Sequence, residues 1–90
     1  VTIKLDYKQQ VYVFPNPVYD ITNLYINIHQ PDKVQGRIID NTGRIIKQLQ
    51  WNVPAGRNMF PLNLFSLAKG MYYLELTGEH TKELLKIIKE

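Results

Sequence analysis

The side chains that could carry chemistry in this 90-residue chain are few and scattered. His29 and His80 each lie in a polar turn region, with no acidic or cysteine neighbour at metal-ligand spacing, so we predict solvated turn residues rather than metal ligands. Ser66 is the one serine of the sequence, and no residue near it would activate a nucleophile. We therefore expect no catalytic residues, no metal site and no cofactor.

A second candidate is the segment Asp40-Asn41-Thr42-Gly43. It is superficially similar to the Asp-Thr-Gly motif of aspartic proteases, but the inserted Asn41 breaks that motif. Asn and Asp tolerate left-handed backbone geometry and glycine adopts it without steric cost, so these residues are typical of a tight β-hairpin turn. We predict a hairpin here.

Three tyrosines lie on the outward sides of predicted strands: Tyr12, Tyr25 and Tyr73. They could form an aromatic platform for sugars, or they could simply cover a sheet face. The first possibility corresponds to a carbohydrate-binding or adhesive module, and the second to an ordinary sheet surface.

The composition is that of a folded domain, with 44% hydrophobic and 21% charged residues. The net charge of +3 comes without a tight basic cluster, so we expect no nucleic-acid partner. There is no cysteine, and therefore no disulfide framework. No apolar run approaches the roughly 20 residues of a membrane-spanning helix, so we expect no direct membrane insertion. The oligomeric state is left open.

Hydrophobic alternation predicts strands along most of the chain. The clearest case is the run in which Leu24, Ile26 and Ile28 alternate with polar or aromatic residues. Seven or eight such runs, about ten residues apart with turn residues between them, favour an all-β fold, an immunoglobulin-like antiparallel β-sandwich of about seven strands. We expect residues 11–90 to form the sandwich. Residues 1–10 are expected to be a linker or an extra edge strand; the edge strand is an alternative because apolar and polar residues also alternate over residues 1–7.

The stretch from residue 64 to residue 76 has the shape of a corner followed by a strand. Leu64 and Leu67 bracket a turn that ends at Gly70, and Tyr72 then opens a run of alternating apolar residues. This pattern fits a tyrosine corner, in which the tyrosine hydroxyl bonds to upstream backbone. It also fits an ordinary loop-to-strand junction in which Tyr72 is merely packed.

The C-terminal segment, residues 81–90, is ambiguous when read alone. Its apolar residues fit a helical stripe, and its Glu, Leu and Lys residues favour a helix. Ten residues are marginal for an isolated helix, however, and residues 77–80 look like a hairpin turn. We predict a strand with Leu85 and Ile87 on one side, and Leu84, Lys86 and Ile88 on the other.

Several short motifs follow one another along the chain: Phe14-Pro15-Asn16-Pro17, residues 39–44, residues 54–58 and residues 62–72, before a lysine-rich apolar ending. The motif residues to which we assign a structural role are Pro15, Asn16, Pro17, Asp40, Gly43, Gly56, Leu67, Gly70 and Tyr72. In this order and spacing, the motifs resemble the C-terminal sorting domain of the type IX secretion system of Bacteroidetes. The resemblance extends from about residue 11 to residue 89. One departure is Gly36, where family members usually have a larger apolar residue. This glycine is expected to weaken packing in its strand.

The resemblance implies a non-catalytic signal that directs a cargo protein through the periplasm and across the outer membrane, to the cell surface or the medium. Its partners would be protein components of the outer-membrane secretion machinery. In many members a sortase-like peptidase then removes the domain. The resemblance ties export to the terminal strand, where the candidate recognition residues are Lys82, Leu85, Lys86, Ile87 and Lys89. The carbohydrate-binding module and a purely structural spacer are the alternatives.

Overall fold

The computed structural model describes residues 10–90 and contains two antiparallel β-sheets in this range. Sheet A has the strand order β1-β2-β5, and sheet B has the order β4-β3-β6-β7. The expected strand within residues 1–7 lies outside the described residues. The strands are β1 (Gln10–Phe14), β2 (Ile21–Ile28), β3 (Asp32–Asp40), β4 (Ile45–Val53), β5 (Gly56–Asn63), β6 (Gly70–Thr77) and β7 (Lys82–Lys89).

The alternating pattern of the sequence builds the core between the two sheets. Every second residue of a strand points to the same face, so each strand contributes one apolar row. The buried row of β2 is continued across the interior by rows from β3 and β6. The fully or almost fully buried apolar side chains include Leu24, Ile26, Ile28, Val34, Ile38, Leu62, Leu64, Leu74, Leu76 and Ile87. The predicted immunoglobulin-like sandwich is confirmed.

The C-terminal segment is a strand, as predicted, and its two faces are those expected from the alternation. Ile87 is completely buried, whereas Leu84 is 62% exposed. The helical stripe was a consequence of apolar residues on both faces of a strand. Pairing with β6 over the full length of β7 outweighs the local helix preference of the segment.

Tyr72 forms the predicted tyrosine corner. The residue is 93% buried, and its hydroxyl donates a hydrogen bond of 2.5 Å to the backbone oxygen of Ala68. The turn before it is closed by the Leu67 N–H, which donates to the Leu64 oxygen at 3.0 Å. The corner fixes the point at which the chain enters β6, the strand that pairs with β7.

Gly36 has a different consequence from the one expected. A Cβ atom at this position would lie 2.6 Å from Cζ3 of Trp51, so the indole ring occupies the space that a side chain would need. Trp51 also packs against Phe60 of the opposite sheet, with ring centroids 5.9 Å apart. The missing side chain is thus replaced by a cross-strand tryptophan, and packing at this point is not weakened.

The connection between β4 and β5 is short. β4 continues to Val53, which is buried, and β5 begins at Gly56. Lys33 and Asp32 of β3 pair with Asn52 and Val53, and this pairing extends the strand. β5, which contains Pro61, is an edge strand, because it pairs only with β2 among the described strands.

Candidate functional site

Strand β7, in which the sequence places the candidate recognition residues, lies at one edge of sheet B. Ile87 is fully buried, Lys89 is 93% buried, and Leu85 packs against the core, so these three side chains anchor the strand. Lys82 and Lys86 point outward and are exposed. The outward side chains, called here the outer face of β7, are Lys82, Leu84, Lys86 and Ile88.

The outer face of β7 combines two cations with apolar surface. Leu84 lies in a shallow depression that is also lined by Ile39, Tyr73 and Glu75. Ile88 is 40% exposed. Leu84 and Ile88 were not among the predicted recognition residues, although the same alternation that buries Ile87 exposes both of them.

The start of β7 is held by Asp32, the first residue of β3. Its carboxylate accepts hydrogen bonds from the backbone N–H groups of Glu79 and His80 at 3.0 Å each, and from the Thr81 hydroxyl at 2.8 Å. Burial opposes the charged form of Asp32. These three hydrogen bonds, together with the charge of His80, outweigh that effect and lower the pKa of the carboxyl group.

The end of β7 is held by the segment between β1 and β2. The Asn16 side-chain amide donates to the Lys86 backbone oxygen at 2.8 Å, and its oxygen accepts the Ile88 N–H at 3.0 Å. Val18 continues this contact as a parallel bridge: its N–H donates to the Ile88 oxygen, and its own oxygen accepts the Glu90 N–H, both at 2.7 Å. Asn16 and Val18 thus act as a partial neighbouring strand, which we call the Asn16 clasp.

Pro15 and Pro17, on either side of Asn16, delimit this clasp. Both peptide bonds that precede these prolines are cis. The Pro15 oxygen accepts the hydroxyl of Thr22, a fully buried residue, at 2.7 Å. The Pro-Asn-Pro motif therefore connects sheet A, through Thr22, to the last strand of sheet B.

Asp40 is engaged in the hairpin between β3 and β4. One carboxylate oxygen accepts the Thr42 hydroxyl at 2.6 Å and the N–H groups of Thr42 and Arg44 at 2.9 and 3.0 Å. These bonds, led by the Thr42 hydroxyl, lower the pKa of Asp40 to about 2. Gly43 has a φ of +89°, which suits glycine. Since this carboxylate organises a turn, the predicted hairpin accounts for the whole motif.

The remaining motif residues are Gly56, Leu67 and Gly70. Gly56 has a φ of +101° where β5 begins, and Leu67 packs against the core from the corner that leads to β6. Gly70 is the first residue of β6 and pairs with Lys89 of β7. They support the scaffold and do not line the outer face of β7.

The three outward tyrosines do not come together. Tyr12 and Tyr25 are directly paired on sheet A, with stacked rings 5.0 Å apart, whereas Tyr73 lies on sheet B. The three tyrosines therefore do not form one platform, since strand alternation alone does not tell which sheet a strand joins. Within residues 10–90, no three His, Asp or Glu side chains are placed to hold a metal ion, and no helix is long and apolar enough to cross a membrane.

The two sheets and the anchored terminal strand define an immunoglobulin-like β-sandwich domain. The chain belongs to the secretion system C-terminal sorting domain family, whose family model matches residues 12–90. Domains of this family are sorting signals of the type IX secretion system, and this domain marks the protein that carries it for export across the outer membrane, to the cell surface or the medium.

A solved structure has the same fold. The crystal structure of dimeric latent PorU from Porphyromonas gingivalis aligns with 91% of this chain at a TM-score of 0.68 and 17% sequence identity. This chain corresponds to 9% of the length of that PorU chain. No curated protein sequence matches the chain.

Proposed function

We propose that the secretion machinery recognises this sorting domain through the outer face of β7. On this proposal the domain is a non-catalytic signal, and its partner is a protein of the outer-membrane secretion machinery. The observation that supports this proposal is that hydrogen bonds hold β7 at both ends, from Asp32 and from the Asn16 clasp, while Lys82 and Lys86 are exposed between these two points.

The pinned ends matter because recognition of a folded surface needs its side chains in fixed positions. Ordering two long side chains costs conformational entropy on binding, and a rigid strand lowers that cost. The apolar surface of Leu84 and Ile88 next to two ammonium groups suits a partner that combines an apolar contact with negative charge. The inward-facing residues Leu85, Ile87 and Lys89 contribute indirectly, by holding the strand in the sandwich.

We further infer that a sortase-like peptidase separates the domain from its cargo once export is complete. The family membership supports this step, and the identity of the peptidase is left to experiment. Mass spectrometry of exported cargo tests it: cargo ending before Gln10 is expected, and cargo that retains the sandwich would contradict this part of the proposal.

Export of a cargo fused upstream of the domain tests the recognition surface. The double variant Lys82→Glu/Lys86→Glu reverses both charges on the outer face of β7 without touching the core. Lys33→Glu/Arg57→Glu makes the same change in net charge with exposed residues of β3 and β5. We expect the first variant to accumulate in the periplasm and the second to be exported. Equal export of both would contradict the proposal.

A truncation that removes residues 84–90 is a weaker experiment. It should also leave the cargo in the periplasm, but it deletes Ile87 from the core and the clasp partners of Asn16. Loss of export would then follow from unfolding as readily as from loss of the surface. The charge-reversal pair avoids this problem, and equal melting temperatures of the two variants provide the check.

A further inference from the structure

Strand β7 also presents backbone groups that no described strand pairs with. In an antiparallel edge strand, the N–H and C=O groups of alternate residues point away from the sheet. The Asn16 clasp shows which residues these are, because it bonds to the Ile88 N–H and to the oxygens of Lys86 and Ile88. By the same alternation, the Leu84 N–H and C=O and the Lys86 N–H point outward, beyond the reach of the clasp.

The other three edges in the described part of the chain carry features that discourage pairing. β1 ends at Phe14, directly before Pro15. β5 contains Pro61, and its Asn58 amide donates to nearby backbone oxygens, including that of Pro54 at 2.8 Å. β4 has Lys47 on its inward side, where the ammonium group donates to the Asn63 oxygen at 3.2 Å. Prolines and inward charges are known devices against edge pairing.

We propose that residues 82–86, called here the open edge, bind an extended strand of a partner protein in which acidic residues alternate with apolar ones. Such a strand would extend sheet B beyond β7, with its backbone bonded to Leu84 and Lys86. This inference rests on the proposed function, because it assigns a binding mode to the same strand. It adds that the main chain of β7, and not only its side chains, is recognised.

The charges of the open edge select the partner. Lys82 and Lys86 flank Leu84 on the outer face, so a neighbouring strand would place two side chains beside two ammonium groups. Opposite charges on neighbouring strands stabilise a sheet and like charges destabilise it. The nearby acidic residues do not cancel this preference. The Glu75 Oε1 atom forms an ion pair with Arg37 Nη1 at 3.9 Å, and the Glu83 side chain is on the inward side of β7.

The same charges disfavour a second copy of this chain as the occupant. In an antiparallel pairing of two open edges centred on Leu84, Lys82 of each copy would lie opposite Lys86 of the other. Two like-charge pairs would then form within a five-residue contact. An acidic strand of another protein has no such repulsion. It is therefore the proposed occupant of the open edge.

Nuclear magnetic resonance of the 90-residue chain tests the open edge directly. The probes are two capped peptides, one alternating glutamate with valine and the other alternating lysine with valine. We expect the acidic peptide to shift the resonances of residues 82–86 and to slow amide exchange at Leu84 and Lys86. The basic peptide should bind about tenfold more weakly. Equal binding of both peptides, no binding, shifts centred on sheet A, or dimerisation through residues 82–86 would each overturn the inference.

Leu84→Pro isolates the backbone contribution. This variant lacks the N–H of residue 84, which points away from β6. Proline is tolerated at such edge positions, so the pairing of β7 with β6 is retained. Leu84→Val, which keeps the N–H, is the matched comparison. We expect Leu84→Pro to weaken binding of the acidic peptide about tenfold more than Leu84→Val does. Equal weakening by the two variants would overturn strand pairing, and amide exchange at Ile88 verifies that β7 remains folded.

Export of the same variants separates this inference from the proposed function. Stronger periplasmic accumulation with Leu84→Pro than with Leu84→Val supports recognition through the open edge. Equal export of these two variants, together with retention of Lys82→Glu/Lys86→Glu, overturns the open edge but leaves side-chain recognition on β7 intact. Normal export of all three overturns both.

Discussion

Replacing Asn16 tests how β7 is held in place. Asn16→Ala removes two hydrogen bonds, of 2.8 and 3.0 Å, that join residues 70 and 72 positions apart in the sequence. Each exposed hydrogen bond contributes about 0.5–1 kcal/mol, so the variant should lose about 1–2 kcal/mol of unfolding free energy. For a domain of this size, that loss corresponds to a decrease in melting temperature of about 5–15 °C.

Thermal unfolding followed by circular dichroism, together with amide exchange at Ile88, measures the effect. Asn52→Ala is a suitable control, since Asn52 is an exposed residue within β4, and its replacement should change stability by no more than about 0.5 kcal/mol. Asn16→Asp separates the two bonds, because a carboxylate still accepts the Ile88 N–H but cannot donate to the Lys86 oxygen. If Asn16→Ala matches the control and Ile88 remains equally protected, the clasp does not hold β7 in place.

Three further predictions concern the scaffold. Tyr72→Phe removes the corner hydrogen bond and should cost about 1 kcal/mol in a urea titration, with full stability retained as the contradicting result. Gly36→Ala should cost about 1–3 kcal/mol, because the added methyl group collides with Trp51; a change in tryptophan fluorescence should accompany it, and a neutral effect would refute the contact. The pKa of Asp32 is below the ordinary value of 3.8, so its stabilising effect is present above that pH and is lost as the pH falls below it. Asp32→Asn should therefore be less stable at pH 7 and lose less stability between pH 4 and pH 2, as measured by unfolding at each pH.

Local pattern was sufficient for most of the fold. The period-two alternation around Leu24 and Leu74 identified buried strand faces, and the turn chemistry of Asp40 and Gly43 located a hairpin, because both signals depend on residues close in sequence. Tyr72 was identified from its spacing to Gly70. The ambiguity of the C-terminal segment arose because both faces of β7 carry apolar residues, and only the pairing with β6 resolves it.

The parts of the candidate site that escaped prediction depend on distant residues. Asn16 bonds to the far end of the chain, and Asp32 reaches a turn that begins 47 positions later. Trp51 fills the space over Gly36 through a neighbouring strand. The membership of Tyr73 in sheet B, away from Tyr12, is likewise a matter of topology. None of these contacts leaves a periodic or spacing signal in the sequence.

We propose that β7 presents the surface that the secretion machinery binds. Photo-crosslinking tests this directly: a photo-reactive amino acid is placed at Lys86, and in separate variants at Lys33 and at Met59 on sheet A, in a cargo fusion expressed in cells with a type IX secretion system. We expect crosslinks from position 86 to an outer-membrane component of that system, at a yield well above those from positions 33 and 59. Crosslinks to such a component from position 59, with none from position 86, would contradict it.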